Sequence, residues 1–174
     1  MVGAAALLGV GGCAASVEQP RSAAITPAAI PASGQPSIPE IPDTLRFVGK
    51  TLDGAGFDAT TMAGKPAILW FWAPWCATCA SEAQSISDLA DEYRGRLGIL
   101  GIAGLGDNKA MHEFVSDLNV AKVPHLDDQA GKIWKKFKIT QQSTYVFLDR
   151  SGKIVRTGYL DDLQLTAEVK SLVA

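Results

Sequence analysis

The chain has 174 residues, 47% hydrophobic and 20% charged, with a formal net charge of −2. This is the profile of one globular domain with something appended. Residues 45–174 carry 15 basic and 15 acidic side chains and no Lys/Arg run, so nucleic acid is not an expected partner, and no stretch reaches the roughly 18 apolar residues of a membrane-spanning helix.

The chain opens on "MVGAAALLGVGG", small and apolar, ending at Cys13. An apolar segment followed by small residues is the pattern of a secretory signal. The usual basic n-region is missing, so either the natural start is expected upstream or the chain has been trimmed. "VGGC" resembles a bacterial lipobox, with Gly11 at a less usual position, and makes Cys13 the expected lipidation site. Residues 1–13 are therefore read as a signal and lipobox, the alternative being an ordinary signal peptide. Several acyl chains at ~0.8 kcal/mol per buried CH₂ hold a protein stably on a membrane. Residues 14–44 contain Pro20, Pro27, Pro31, Pro36, Pro39 and Pro42. They show no apolar periodicity and read as a disordered Pro/Ala-rich tether. It would span at most roughly 95 Å extended and nearer 30 Å as a coil.

The remaining segment, 45–174, reads as a folded domain. "TLRFVGKTLDGAGFD" predicts a short hairpin turning at Asp53-Gly54. "KPAILWFWA", 65–73, is a continuous apolar run suited to a strand buried on both faces. Ala83, Ile86, Ala90 and Tyr93 then recur at helical spacing until Gly95. "RLGILGIAGL", 96–105, predicts a second buried strand. "GDNKAMHEFVSDL" predicts a capped helix with Met111, Phe114, Val115 and Leu118 on one face. A short helix is expected to cover Ile133, Trp134 and Phe137. "TYVFLDRSGKIVRTGYL" predicts a hairpin around Asp149–Gly152. Asp161 to Gln164 forms a capping-box pattern ahead of Leu165, Val169 and Leu172. The order β-α-β-α then β-β-α implies an α/β fold. Its mixed central sheet is flanked by helices on both faces, with an N-terminal hairpin extension.

Cys76 and Cys79, in "WAPWCATCASEAQ", fall at the switch from strand to helix. Unpaired N–H groups and the helix dipole favour a thiolate at a helix N-terminus. This makes Cys76 the expected nucleophile and Cys79 the resolving thiol. Pro74 supports a sharp turn, and Trp75 crowds the approach. Other readings of a C-x-x-C pair are half a zinc site or a structural disulfide. Zinc lacks a second pair: His112 and His125 are the other soft ligands, and both are expected at the surface.

"LWFWAPWCATC" with the following "SEAQ" resembles the extracytoplasmic thioredoxin-like proteins of the TlpA/ResA/DsbE group, most of all the actinobacterial DsbE/DsbF type. "GKPAILWFWAPWC", "GIAGL" and "TQQSTYVFLD" extend the resemblance over roughly 45–174. It implies a thioredoxin fold and dithiol–disulfide exchange with exported proteins. Cys76 and Cys79 match the redox pair. Glu82 matches a family glutamate three residues after the second cysteine, where a partly buried carboxylate would accept the Cys79 proton. Thioredoxin itself carries a buried acid six positions before its first cysteine; here that position is Trp70.

Three positions depart from the family pattern. Ala77-Thr78 fill the space between the cysteines, so the redox potential is not carried over. Gln84 replaces a helix-kinking proline, which implies a straighter helix. Ser143 stands where the family has a cis-proline. A cis peptide without proline costs roughly 2.5–4 kcal/mol, so a trans Gln142–Ser143 bond is expected, with a hydroxyl near the sulfurs. Pro74, Trp75, Gln142 and Ser143 form the expected docking surface, by a form of strand addition.

The resulting expectation is a membrane-tethered, extracytoplasmic thiol–disulfide oxidoreductase, lipid-anchored or also secreted, working through a mixed disulfide at Cys76. Its expected partners are exported proteins with thiols or disulfides and a membrane redox partner that resets the pair; no dissociable cofactor is called for. The oxidase direction is favoured over a reductant for exported thiols or cytochrome c maturation. The alternative of another class is a copper(I) metallochaperone using the same two thiolates.

Overall fold

The computed structural model describes Gly12 and residues 41–174. The signal-like segment with Cys13, and the tether up to residue 40, lie outside the described residues. Residues 41–174 fall within one compact unit, Ser37–Ala174. That unit takes in the last residues of the expected tether. A one-turn 3-10 helix, Asp43–Leu45, buries Leu45, and the Thr44 hydroxyl donates to the Gly152 carbonyl at 2.6 Å.

Seven strands and four helices follow in the order β1 (Val48–Thr51), β2 (Gly56–Asp58), β3 (Ala67–Trp72), α1 (Ala77–Glu92), β4 (Gly98–Ala103), α2 (Asn108–Asp117), β5 (His125–Asp127), α3 (Lys132–Lys136), β6 (Thr144–Leu148), β7 (Ile154–Gly158) and α4 (Asp162–Val173). They build one sheet, β2-β1-β5-β4-β3-β6-β7. β3, β4 and β5 are parallel; β1, β2, β6 and β7 join antiparallel. This is the mixed α/β sheet and the thioredoxin-like architecture that the sequence implies. The hairpin at Asp53-Gly54, the hairpin at Asp149–Gly152 and the Asp161–Gln164 capping box are all present.

β3 is central and buried over its whole length. Successive side chains of a strand point to opposite faces. Ile68, Trp70 and Trp72 therefore pack with Ala83, Ile86 and Leu89 of α1, Met111 and Phe114 of α2, and Leu165 and Val169 of α4. Ala67, Leu69 and Phe71 pack on the other side with Ile133 and Trp134 of α3 and with Leu45 and Met62. Helix α1 runs unbroken for 16 residues, and Gln84 spends its amide on Asp88 at 2.7 Å within it.

One strand is absent from the sequence reading. β5 is three residues long, follows Pro124, and ends in Asp127. Such a segment reads as loop because its strand character comes from pairing with β4 and β1, not from local propensity. The expectation of a surface His125 is corrected with it. His125 is buried in β5 opposite Gly101. A Cβ on residue 101 would stand 2.1 Å from the His125 Nδ1, so glycine is what lets the imidazole into the core. His112 is half-buried, its Nε2 3.1 Å from the Leu52 carbonyl.

Candidate functional site

The site forms at the C-terminal end of β3, where the chain turns through Ala73, Pro74 and Trp75 into α1. Cys76 is the N-cap of α1, in extended conformation (φ −85°, ψ 108°). Its sulfur accepts the Cys79 backbone N–H at 3.0 Å, one of the donors a helix N-terminus leaves free. Cys76 and Cys79 are joined as a disulfide, with Cα atoms 5.2 Å apart. Cys76 retains 5% exposure and Cys79 none. Cys76 also lines a pocket of about 330 Å³ with Thr78, Gln141, Gln142, Ser143 and Tyr159; Cys79 does not reach it.

The turn before Cys76 is held from the β4–α2 loop. The Trp75 indole N–H donates to the Leu105 carbonyl at 2.6 Å, with the residue 60% exposed. Leu105, two residues past the end of β4, has a left-handed backbone (φ 55°). Pro74 lies so close to Gly106 that a Cβ there would meet its ring at 2.3 Å. Exposed Trp75, Leu105 and Tyr159 give the site an apolar rim.

The loop before β6 closes the other side. β6 pairs antiparallel with β3, Thr144 opposite Phe71 and Tyr145 opposite Trp70. This register brings Ser143 to the same end of β3 as the cysteines. Among the described residues no peptide bond is cis, so the Gln142–Ser143 bond is trans, as the replacement of proline by serine leads one to expect. Ser143 adopts φ 57°, a left-handed conformation that costs a non-glycine residue roughly 1–2 kcal/mol. Its hydroxyl is not offered to the sulfurs: it donates to Glu82 Oε1 at 2.6 Å.

Glu82 is 3% exposed, on the inner face of α1 one turn beyond Cys79. Its other oxygen, Oε2, accepts the Trp70 indole N–H at 2.8 Å. Burial pushes its carboxyl above the ordinary carboxylate range, and the hydrogen bonds from Ser143 and Trp70 pull back against that. Tyr145 completes the cluster. Its hydroxyl is buried, lacks a partner in hydrogen-bond geometry among the described residues, and feels the Glu82 carboxylate nearby. Burial first, then that negative field, push its phenol well above the usual range. Trp70, at the position of thioredoxin's buried acid, thus serves as a donor to an acid supplied by the helix. Neither this contact nor the Ser143 contact is visible in the sequence, which shows residue types but not which side chains meet across 12 and 61 positions.

Comparison with known proteins places these features in a family. Residues 40–157 match the AhpC/TSA family. The secreted antigen MPT53 of Mycobacterium bovis and Mycobacterium tuberculosis is 36% identical over 110 residues, 63% of this chain; the match spans 62% of the antigen's own length. The structure of Mycobacterium tuberculosis DsbF, in mixed oxidised and reduced forms, is 40% identical, covering 76% of this chain and 98% of that one, with a TM-score of 0.71. A secreted Mycobacterium tuberculosis disulfide oxidoreductase homologous to Escherichia coli DsbE is 36% identical, covering 74% and 98%, with a TM-score of 0.68. The strand-turn-helix that carries Cys76 and Cys79 and the sheet that supports it therefore belong to a DsbE/DsbF-like, thioredoxin-like member of the AhpC/TSA family.

Proposed function

We propose that the protein is an extracytoplasmic thiol–disulfide oxidoreductase that exchanges the Cys76–Cys79 disulfide with thiols of exported proteins. The observation that carries this reading is the asymmetry of the pair: Cys76 caps α1 and lines the pocket with Gln142 and Ser143, while Cys79 and Glu82 are buried behind it. In the oxidising direction a substrate thiolate attacks Cys76 Sγ. The Cys76–Cys79 bond breaks and Cys79 leaves as a thiolate, taking a proton from the Glu82 carboxyl. A second substrate thiolate then attacks the substrate sulfur of the mixed disulfide and expels the Cys76 thiolate. The substrate gains a disulfide and the enzyme holds a dithiol, which a membrane redox partner reoxidises. The Cys79 N–H and the helix N-terminus stabilise the Cys76 thiolate as leaving group. Trp75, Pro74 and Gln142 form the surface on which the substrate chain lies, and Ser143 lines the same pocket.

Lipidation at Cys13 and a tether over 14–44 would hold the domain off the outer face of the membrane. The secreted relatives support an extracytoplasmic location, and no helix among the described residues is long and apolar enough to cross a membrane. The test is the equilibrium reduction potential of Cys76–Cys79 in a defined thiol buffer, with trapping of a mixed disulfide in Cys79→Ser. A potential above about −200 mV supports the oxidase direction, and one below about −250 mV turns it into a reductant. Absence of a reversible couple, or of a trapped adduct, would refute the reading.

A further inference from the structure

The Ser143–Glu82 hydrogen bond joins two parts of the site with different duties. Ser143 lines the pocket at Cys76; Glu82 is buried, three residues after Cys79 on the same helix. The bond is short, 2.6 Å, and shielded from water, with Ser143 6% exposed. A hydroxyl-to-carboxylate bond in such a setting is about twice as strong as a neutral one. It also explains why a non-glycine residue is held at φ 57° here: the carboxylate offsets the backbone strain.

We propose that Ser143 is a positioning residue for disulfide exchange: its hydroxyl fixes the Glu82 carboxylate as the proton acceptor for Cys79, so that the loop that receives the substrate and the buried acid act as one unit. This rests on the exchange chemistry proposed above. In the reducing half of the cycle, Cys76 thiolate has attacked a substrate disulfide and holds one substrate sulfur. The Cys79 thiol gives its proton to Glu82. The resulting thiolate attacks Cys76 Sγ, the mixed disulfide breaks, and the electron pair leaves with the substrate sulfur. The enzyme dithiol is oxidised and the substrate disulfide reduced. Only an ionised Glu82 with a free lone pair takes the proton. Ser143 on Oε1 and Trp70 on Oε2 hold the carboxylate plane while each oxygen keeps a second lone pair.

The other groups that act on Glu82 are Tyr145 from β6 and Asp162 from α4. Asp162 disfavours the ionised form, and the Tyr145 hydroxyl favours it. A donated hydrogen bond favours the ionised form, so removing the Ser143 hydroxyl raises the pH at which Glu82 ionises.

The test uses the reduced full chain carrying Cys13→Ser, so that Cys76 and Cys79 are its only thiols, and 5,5′-dithiobis(2-nitrobenzoate), followed by stopped-flow absorbance. Attack by Cys76 releases the first thionitrobenzoate, and resolution by Cys79 releases the second. The expected result is a second phase whose pH midpoint moves up by about 0.5 unit or more in Ser143→Gly. Below the midpoint its rate falls about threefold. Glycine accepts φ 57° without strain, so this variant removes the hydroxyl and keeps the loop; Ser143→Ala is expected to give the same shift. In a Glu82→Gln background the Ser143→Gly effect disappears. A slower second phase with an unmoved midpoint, or an equal loss in the Glu82→Gln background, overturns the proposal and leaves the exchange reading standing. A wild-type protein that shows no second phase overturns both.

Discussion

Trp72 donates its indole N–H to Nδ1 of His125 at 3.2 Å in the middle of the core, and the imidazole passes the contact on by donating Nε2–H to the Val120 carbonyl at 3.1 Å. The pair fixes the tautomer of a neutral imidazole. It ties the last residue of β3, four positions before Cys76, to the strand that the sequence conceals. Phe114 stacks on Trp72 with ring centroids 4.3 Å apart, adding a third aromatic ring to this corner of the core.

Burial lowers the His125 pKa to about 4, whereas an unfolded chain has the ordinary value near 6.5. Between those values the unfolded state binds the extra proton, so stability falls as pH drops through this window. The loss is complete near pH 4 and amounts to about 3 kcal/mol. Urea unfolding of the wild type and His125→Gln at several pH values isolates this contribution from the carboxylates. The expected outcome is a steeper loss of stability below pH 6.5 in the wild type; parallel curves would contradict it.

Gly101→Ala should damage the same corner. Its Cβ would meet His125 Nδ1 at 2.1 Å and Trp72 Nε1 at 2.9 Å, and both rings are locked by packing. Overpacking of this kind costs about 1–3 kcal/mol, and breaking the buried indole–imidazole bond adds to it. Chemical denaturation is expected to show a large drop in midpoint; a change below about 0.5 kcal/mol would mean that the rings move aside.

Trp75 is anchored by one hydrogen bond to Leu105 and otherwise faces solvent. Trp75→Phe keeps the apolar face and loses the anchor. Its exchange kcat/KM on a protein substrate is expected to fall by about two- to threefold. Trp75→Ala removes the apolar face of the proposed docking surface and should cost about tenfold. Stability should hardly move in either variant, and thermal unfolding beside the rate assay tells docking from folding.

Asp128 accepts the N–H groups of Lys132, Ile133 and Trp134, each at 2.9 Å. One carboxylate thereby satisfies three of the donors at the start of α3. Asp128→Ala leaves them unpaired, those of Ile133 and Trp134 in buried surroundings, with an expected loss of about 2 kcal/mol or more; Asp128→Asn keeps part of the set and should lose less. Unfolding midpoints of the two variants check the order. Asp128 takes no part in lining the pocket at Cys76, which predicts an unchanged reduction potential.

Most of the fold is legible because its signals are local. The run at 65–73 has no polar residue but Lys65, so it must be buried on both faces, and β3 is. Asp161 and Gln164 carry a capping box in their spacing, and both halves of it form. Cys76 at a strand-to-helix switch is readable for the same reason. The misreadings lie where a residue's meaning comes from a distant partner. His125 follows Pro124 and precedes two aspartates, so nothing nearby announces a strand. Gly101 inside β4 was the available sign of a close approach from elsewhere. Trp70 reads as the loss of an acid, although its N–H holds one. Ser143 reads as the loss of a proline, although its hydroxyl is what reaches Glu82.

The two hydrogen bonds on Glu82 close over 12 and 61 residues of chain. The longer one requires β6 to be seated against β3, a pairing between distant segments whose loop-closure entropy must be overcome before it forms. Until then Glu82 is an ordinary exposed carboxylate and Cys79 an ordinary thiol. On the proposed mechanism the chemistry of the pair is therefore a property of the finished sheet: a copy in which β6 is not yet seated carries both cysteines but lacks the Ser143 contact to the acid.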